Sequence, residues 1–321
     1  MKVNGAAGTK VTLRFAESLE ENGELFTTNL RDAKSTDVYI LKGGATEEWE
    51  PKFTYHGFRY VEVSGYPGVA AKDNFTGRLV YDDLATVGSF NSSNALLNQI
   101  YKNSWWGIAS NYKGMPVDCP QRNERQPWLG DRPISAYGES FMFDNTNFYI
   151  KWLEDIRLSQ KEDGAIPDVA PAFWRYYSDN ISWPGTYLFI ADMLYQQTGD
   201  IRVLKDHYPF MKKWMDYMQS RYKNNEGIIT KDSYGDWCFP PKTIEEGRGK
   251  IADKKYPSAL ISSSYYYHLL NMMARFSELT GNEEDKSYFV DFAAQIRKDF
   301  NKKYYNPAGY YGSNSLTDNL L

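Results

Sequence analysis

The hydrophobic period changes once along the chain, near Asn91, and that change confines the fold to a strand module followed by a helical one. Before it, Val11, Leu13 and Phe15 alternate in TKVTLRF, Val38 and Ile40 do so in TDVYIL, and FRYVEV and GRLVYDDL come next between Gly- and Pro-rich turns. Residues two apart share one face of a strand, so residues 1–90 read as part of an antiparallel sandwich. About four strands with open edges make a poor independent sheet. The module is therefore expected to be completed by further chain or to pack on the helical residues after it.

After Asn91 the apolar residues recur at steps of three and four. Leu204, Tyr208, Met211, Met215 and Met218 form one such stripe, and Leu269, Met272, Phe276 and Leu279 form another that stops at Gly281. Starts and stops predict about seven helices over residues 91–321, near 92–111, 132–143, 146–159, 184–198, 201–223, 258–280 and 284–304. Trp214 falls on a helical stripe and reads as core. The loops after Lys113, Gly164 and Lys231 hold most of the Asp and Trp combinations, and functional groups concentrate on loops held by a rigid scaffold.

Length and composition narrow the function classes. A chain of 321 residues suggests about two domains, and 42% hydrophobic with 24% charged residues is ordinary globular usage. The net charge, 37 − 41 = −4, speaks against a surface that neutralises phosphates, so nucleic acid and anionic lipid are not expected partners. No stretch of 18 apolar residues is present, and MKVNGAAGTKVTLRF lacks a signal-peptide core, so a soluble chain with no membrane partner is expected. Two cysteines, Cys119 and Cys238, and three histidines have no disulfide-framework or zinc spacing, and no Gly-rich phosphate cradle is seen. Neither a metal nor a cofactor is expected, and Cys119 reads as a buried small hydrophobe. The unusual feature is the aromatic share of 16%, with 26 Tyr and 9 Trp, whose flat faces serve large cores and sugar rings alike.

The segment GMPVDCPQRNERQPWLGD, residues 114–131, concentrates the chemistry. Asp118, Arg122, Glu124, Arg125, Trp128 and Asp131 stand together there, and so many charges are costly to bury unless paired or bound to a polar ligand. A surface loop laced with ion pairs is one reading. A sugar site is the other: carboxylates accept from hydroxyls, arginine donates, tryptophan covers a ring face, and one acid protonates a glycosidic oxygen. Asp168 and Trp174 stay divided between loop structure and substrate rim.

DCPQRNERQPWLGD is similar to the DCPQRDERxGWxGD signature of bacterial α-L-rhamnosidases of glycoside hydrolase family 78. FTYHGFRYVEVSG, SYGDW at 233–237 and SSSYYYHLLNMMARFSELTG fall in family order, so the resemblance covers almost the whole chain. It implies a partial antiparallel β-sandwich followed by a mostly helical (α/α)6 barrel that is incomplete in this chain. It also implies hydrolysis of terminal α-L-rhamnose with inversion, by an acid and a base on opposite faces of the sugar. Position by position, Glu124 matches the general acid, while Asp118, Arg122, Trp128 and Asp131 match residues that hold rhamnose. Asp236 and Trp237 match the site's GDW loop, and Asp179 and Trp183 are carried over from a more divergent stretch. The implied partner is a rhamnose-containing glycan or glycoside.

The departures are informative. Asn123 stands where the family has Asp, and Gln126-Pro127 where a small or apolar residue and glycine are common. The family's general base is a Glu in a TTxWE-like motif downstream, whereas this sequence ends at TDNLL. The chain is therefore expected to be an interior fragment, inactive alone and self-associating through its incomplete barrel. A non-catalytic carbohydrate-binding protein with the same pocket is the alternative, and an (α/α)-barrel enzyme acting on uronic acids a third reading. The compartment stays open, with a periplasmic or extracellular place favoured over a cytoplasmic one.

Overall fold

The structure is a computed structural model, and it describes residues 1–236 and 258–321. Contacts divide the chain into two compact units, residues 1–83 with 89–127, and residues 84–88 with 128–321.

The first unit contains β1 (Lys2–Val3), β2 (Lys10–Ala16), β3 (Ser18–Leu19), β4 (Leu25–Phe26), β5 (Thr36–Ile40), β6 (Glu47–Glu48), β7 (Tyr60–Ser64) and α1 (Ala95–Asn111). β2 lies at the centre of an antiparallel sheet of order β5-β2-β7, with Leu13 opposite Asp37 on one side and Val63 on the other. Alternation sends Val11, Leu13 and Phe15 to one face, where they join Val3 and Leu41 in a buried core. Cross-strand partners share a face, so Tyr39, opposite Val11, packs on that core while Val38 and Ile40 point outward.

The predicted strand in GRLVYDDL does not form. Its polar groups go instead to the end of α1 and the turn beyond. The Asp82 amide donates to the Tyr112 carbonyl at 3.1 Å, the Gly114 amide donates to Asp82 Oδ2 at 2.6 Å, and Lys113 reaches the Val80 carbonyl. Backbone groups committed to separate partners leave no ladder to build.

The second unit contains α2 (Ser135–Glu139), α3 (Thr146–Ser159), α4 (Thr186–Thr198), α5 (Ile201–Tyr222), α6 (Ser258–Thr280), α7 (Glu283–Tyr304), a small hairpin of β8 (Tyr305–Asn306) and β9 (Tyr310–Tyr311), and α8 (Leu316–Leu320). α4 ends at Gly199 in the left-handed region, and Asp200 then caps α5 by accepting from the Arg202 amide at 2.9 Å. The α5 stripe is buried as the spacing predicts, with Trp214 1% exposed. The Tyr266 hydroxyl donates to the Met215 carbonyl at 2.9 Å and ties α6 to α5.

The helix predicted over 132–143 shortens to the five residues of α2. Past Glu139 the chain is drawn toward residues 85–87: the Val87 amide donates to the Met142 carbonyl, the Asp144 amide donates to the Ala85 carbonyl, and Thr86 pairs with Phe143. Tertiary pairing wins over helical propensity there.

Candidate active site

The first half of the motif, residues 118–127, belongs to the first unit. Asp118 is almost buried, and its Oδ1 accepts from the Gln126 amide at 2.7 Å while its own amide donates back to the Gln126 carbonyl at 2.9 Å. This exchange closes the loop into a ring. Burial raises the Asp118 pKa, opposed by hydrogen bonds from Cys119 and the Gln126 amide. Arg122 spans the two acids, with Nη2 at 3.6 Å from Asp118 Oδ2 and at 2.8 Å from Glu124 Oε2, and Nε donating to the same Glu124 oxygen at 2.9 Å. Arg125 donates to the Tyr55 carbonyl at 2.7 Å and lies over the Tyr55 ring at 4.1 Å. One arginine thus serves the acids and the other fastens the loop to the strand module.

Ligand atoms of Asp118, Cys119 and Glu124 lie within 4.8 Å of one another. Cys119 is buried as expected, and burial together with the Asp118 hydrogen bond pushes its thiol up to about 11, so it is a neutral donor. With the Arg122 guanidinium already on both carboxylates, this donor set suits a polar organic ligand better than a cation.

The second half of the motif belongs to the helical unit. Trp128 is half-buried, bridges to Val169, and is followed by the Leu129 amide donating to the Asp168 carbonyl at 2.9 Å. Its ring meets Tyr176 at 6.0 Å and Trp174 at 6.1 Å, which makes an aromatic cluster of the kind that covers sugar faces. Asp131 is exposed in a short 3-10 turn. Its neighbour Gly130 explains the position of Trp183: a Cβ there would lie 2.1 Å from the indole, so only glycine lets that ring rest on the loop backbone. Trp183 also meets the Tyr234 ring at 4.3 Å. The loop that carries Trp128 and Asp131, Trp183, and Tyr234 of the SYGD turn are thereby brought together within one unit.

The remaining candidates are placed differently. Asp179, with a positive φ of 59°, turns its carboxylate to the hydroxyls of Tyr217, at 2.9 Å, and Tyr222 on α5. Asp236 Oδ2 accepts from the Thr317 hydroxyl of α8. Trp237 lies outside the described residues.

Sequence reading missed Asp232 and Asn180, which hold the SYGD turn, and left the third support, Asp168, between loop structure and substrate rim. Buried Asp232 accepts four hydrogen bonds: from the Ser182 amide at 2.9 Å and hydroxyl at 2.5 Å through Oδ2, and from the Tyr234 amide at 3.0 Å and Gly235 amide at 2.9 Å through Oδ1. Asn180 accepts from the Ser233 hydroxyl at 2.8 Å, and Asp168 Oδ2 accepts from Tyr234 at 2.7 Å and Ser178 at 2.6 Å. Asp168 is fully buried, and burial raises its pKa. The available signal was Asp preceding Ser-Tyr-Gly, the composition of an Asx-turn. Asp232→Ala should destabilise the helical unit by about 2 kcal/mol, since four donors lose their acceptor. Urea unfolding measures the loss, and hydrogen exchange should quicken at residues 233–236 while the α5 amides stay protected; unchanged exchange at the turn would contradict the clamp.

A strand module followed by paired helices, with carboxylate, arginine and indole side chains on their loops, is the arrangement the two units present. The family model of the bacterial alpha-L-rhamnosidase 6 hairpin glycosidase domain matches residues 85–321, and that of the concanavalin-like domain of the same enzymes matches residues 1–81. The chain belongs to the bacterial α-L-rhamnosidase family. It is 35% identical over 305 residues to an α-L-rhamnosidase of Streptomyces avermitilis, covering 95% of this chain and 28% of that protein. A solved structure of a Streptomyces avermitilis α-L-rhamnosidase in complex with L-rhamnose matches with a TM-score of 0.88 at 34% identity, over 97% of this chain and 29% of that one. The α-L-rhamnosidase from Dictyoglumus thermophilum matches with a TM-score of 0.89 at 40% identity, over 95% and 34%. The chain spans about a third of the length of these relatives. No described helix is long and apolar enough to cross a membrane.

Proposed function

We propose that this chain serves the hydrolysis of terminal α-L-rhamnose from glycosides or polysaccharides, and that it carries the general acid of an inverting reaction. The observation that carries this reading is Glu124 within the DCPQRNER loop: its carboxyl is mostly shielded from solvent, and Arg122 grips one of its oxygens with two N–H groups. An acid held in one orientation can deliver a proton to a glycosidic oxygen without a reorganisation cost at the moment of bond breaking. Asp118 and Arg122 then serve as acceptor and donor for sugar hydroxyls, Trp128 and Trp183 as apolar ring faces, and Asp131 and Asp236 as further hydroxyl acceptors. Asp179 and Trp237 enter the assignment from the motif alone. Inversion also needs a second carboxylate on the opposite face to activate water, and the resemblance implies a Glu of a TTxWE-like motif for that role.

The test is product stereochemistry. In the intact protein, proton NMR of an aryl α-L-rhamnoside digest should show β-L-rhamnose first, with the α anomer growing in by mutarotation. An α anomer at the earliest time points would reject inversion, and no release of rhamnose from any α-L-rhamnoside would reject the reading as a whole.

A further inference from the structure

The turn after β4 reaches the catalytic motif from far away in sequence. Arg31 Nη1 donates to Glu124 Oε2 at 2.9 Å across 93 positions, to the same oxygen that Arg122 holds. Beside it, Asn123 donates to Asp32 Oδ1 across 91 positions. The two pairs are complementary, Arg31-Asp32 facing Glu124-Asn123. They also account for the departure at Asn123: an Asp there, as in the family signature, would set a second carboxylate against Asp32. The backbone at Arg31 has φ 58° and ψ −124°, outside the regions an L-residue adopts freely, and such conformations persist where surrounding structure enforces them, often at functional sites. The Arg31 amide is anchored to the Thr28 carbonyl. The Arg31 side chain remains 56% exposed while Glu124 is 12% exposed, so the arginine approaches the acid from the solvent side.

We propose that Arg31, supplied by the strand module, is a positioning residue for Glu124, and that Asp32 seats the same contact through Asn123. The inference rests on the reading of Glu124 as the general acid. Two guanidiniums on one carboxyl oxygen restrain the plane of the carboxyl and the direction of its second oxygen, and loss of Arg31 removes one of these restraints. The strand module is thereby part of the reaction site and more than a scaffold beside it.

The experiment compares Arg31→Ala, Arg31→Lys and wild type in the intact protein. On rhamnosides with poor leaving groups, Arg31→Ala should lower kcat about fivefold to tenfold with KM within about twofold, and should leave nitrophenyl rhamnoside nearly untouched, because only the former need protonation. Arg31→Lys should recover most of the loss. In a Glu124→Gln background Arg31→Ala should have no further effect, since two residues that act as a unit are not additive. Equal losses on both substrates, or additive losses in the double variant, would overturn the proposal. A second readout is independent of rhamnosidase activity: carbodiimide labelling of Glu124, with peptide mass mapping, should quicken several-fold in Arg31→Ala. Unchanged labelling would overturn the contact. A wild-type protein that hydrolyses no rhamnoside would reject the rhamnosidase reading, and the labelling result would still decide whether Arg31 governs Glu124.

Discussion

Glu124→Gln should lower kcat on rhamnosides with alkyl or sugar leaving groups by a factor of about 100 or more, the usual worth of a positioned general acid. Gln keeps the length of the side chain and an oxygen for the Arg122 fork, so the loop closed by Asp118 and Gln126 should persist. The proton is lost. A nitrophenolate departs without protonation, so the same variant should lose far less on nitrophenyl α-L-rhamnoside, and the ratio of the two losses measures the acid role directly. Equal losses on both substrates would show that Glu124 serves binding or structure and that the proton comes from elsewhere.

Arg132→Met should destabilise the helical unit by about 3–5 kcal/mol, the cost of leaving a buried charge without its partner. Arg132 comes directly after Asp131 and donates to Glu139 Oε1 at 2.7 Å, with the two side chains 8% and 1% exposed. The second Glu139 oxygen accepts from Tyr149 on α3. This network holds the end of the WLGD turn against α2 and α3, so its loss should also loosen the segment carrying Trp128 and Asp131. A double variant, Arg132→Met with Glu139→Leu, should recover most of the stability, because replacing both partners removes the buried charge that one substitution strands. Urea unfolding of the three proteins checks both statements. A single variant within about 1 kcal/mol of wild type would mean that water reaches the pair and the burial is not maintained in solution.

Much of the helical unit was legible because its determinants are local. The stripe through Leu204, Met211, Met215 and Met218 and the stop at Gly281 lie within single turns of the elements they define. The strand Lys10–Ala16 was legible for the same reason. GRLVYDDL and the 132–143 stretch misled because their local patterns compete with partners distant in sequence: Tyr112 for Asp82, and residues 85–87 for residues 142–144. The motif loop stood out by its composition, which by itself left it divided between an ion-paired surface loop and a sugar site; the likeness to the family signature pointed to the second. Its supports did not stand out. Asp232 resembles any polar loop residue until Ser182, fifty positions away, is seen to donate to it.

By itself the sequence determined the order of a strand module and a helical module, the stripes that build the helices, and the residue types available to a sugar site. Each of these is written in the spacing of neighbours along the chain. Only the tertiary structure decided that Gly130 makes room for Trp183, that Ser182 binds Asp232 and Asn180 binds Ser233 to hold the SYGD turn, and that Arg31 lies on Glu124. Those pairings join residues 50 to 93 positions apart, and no local period records them. They exist because packing the hydrophobic faces brings polar groups together out of water, where each must find a partner or bear the cost of its desolvation.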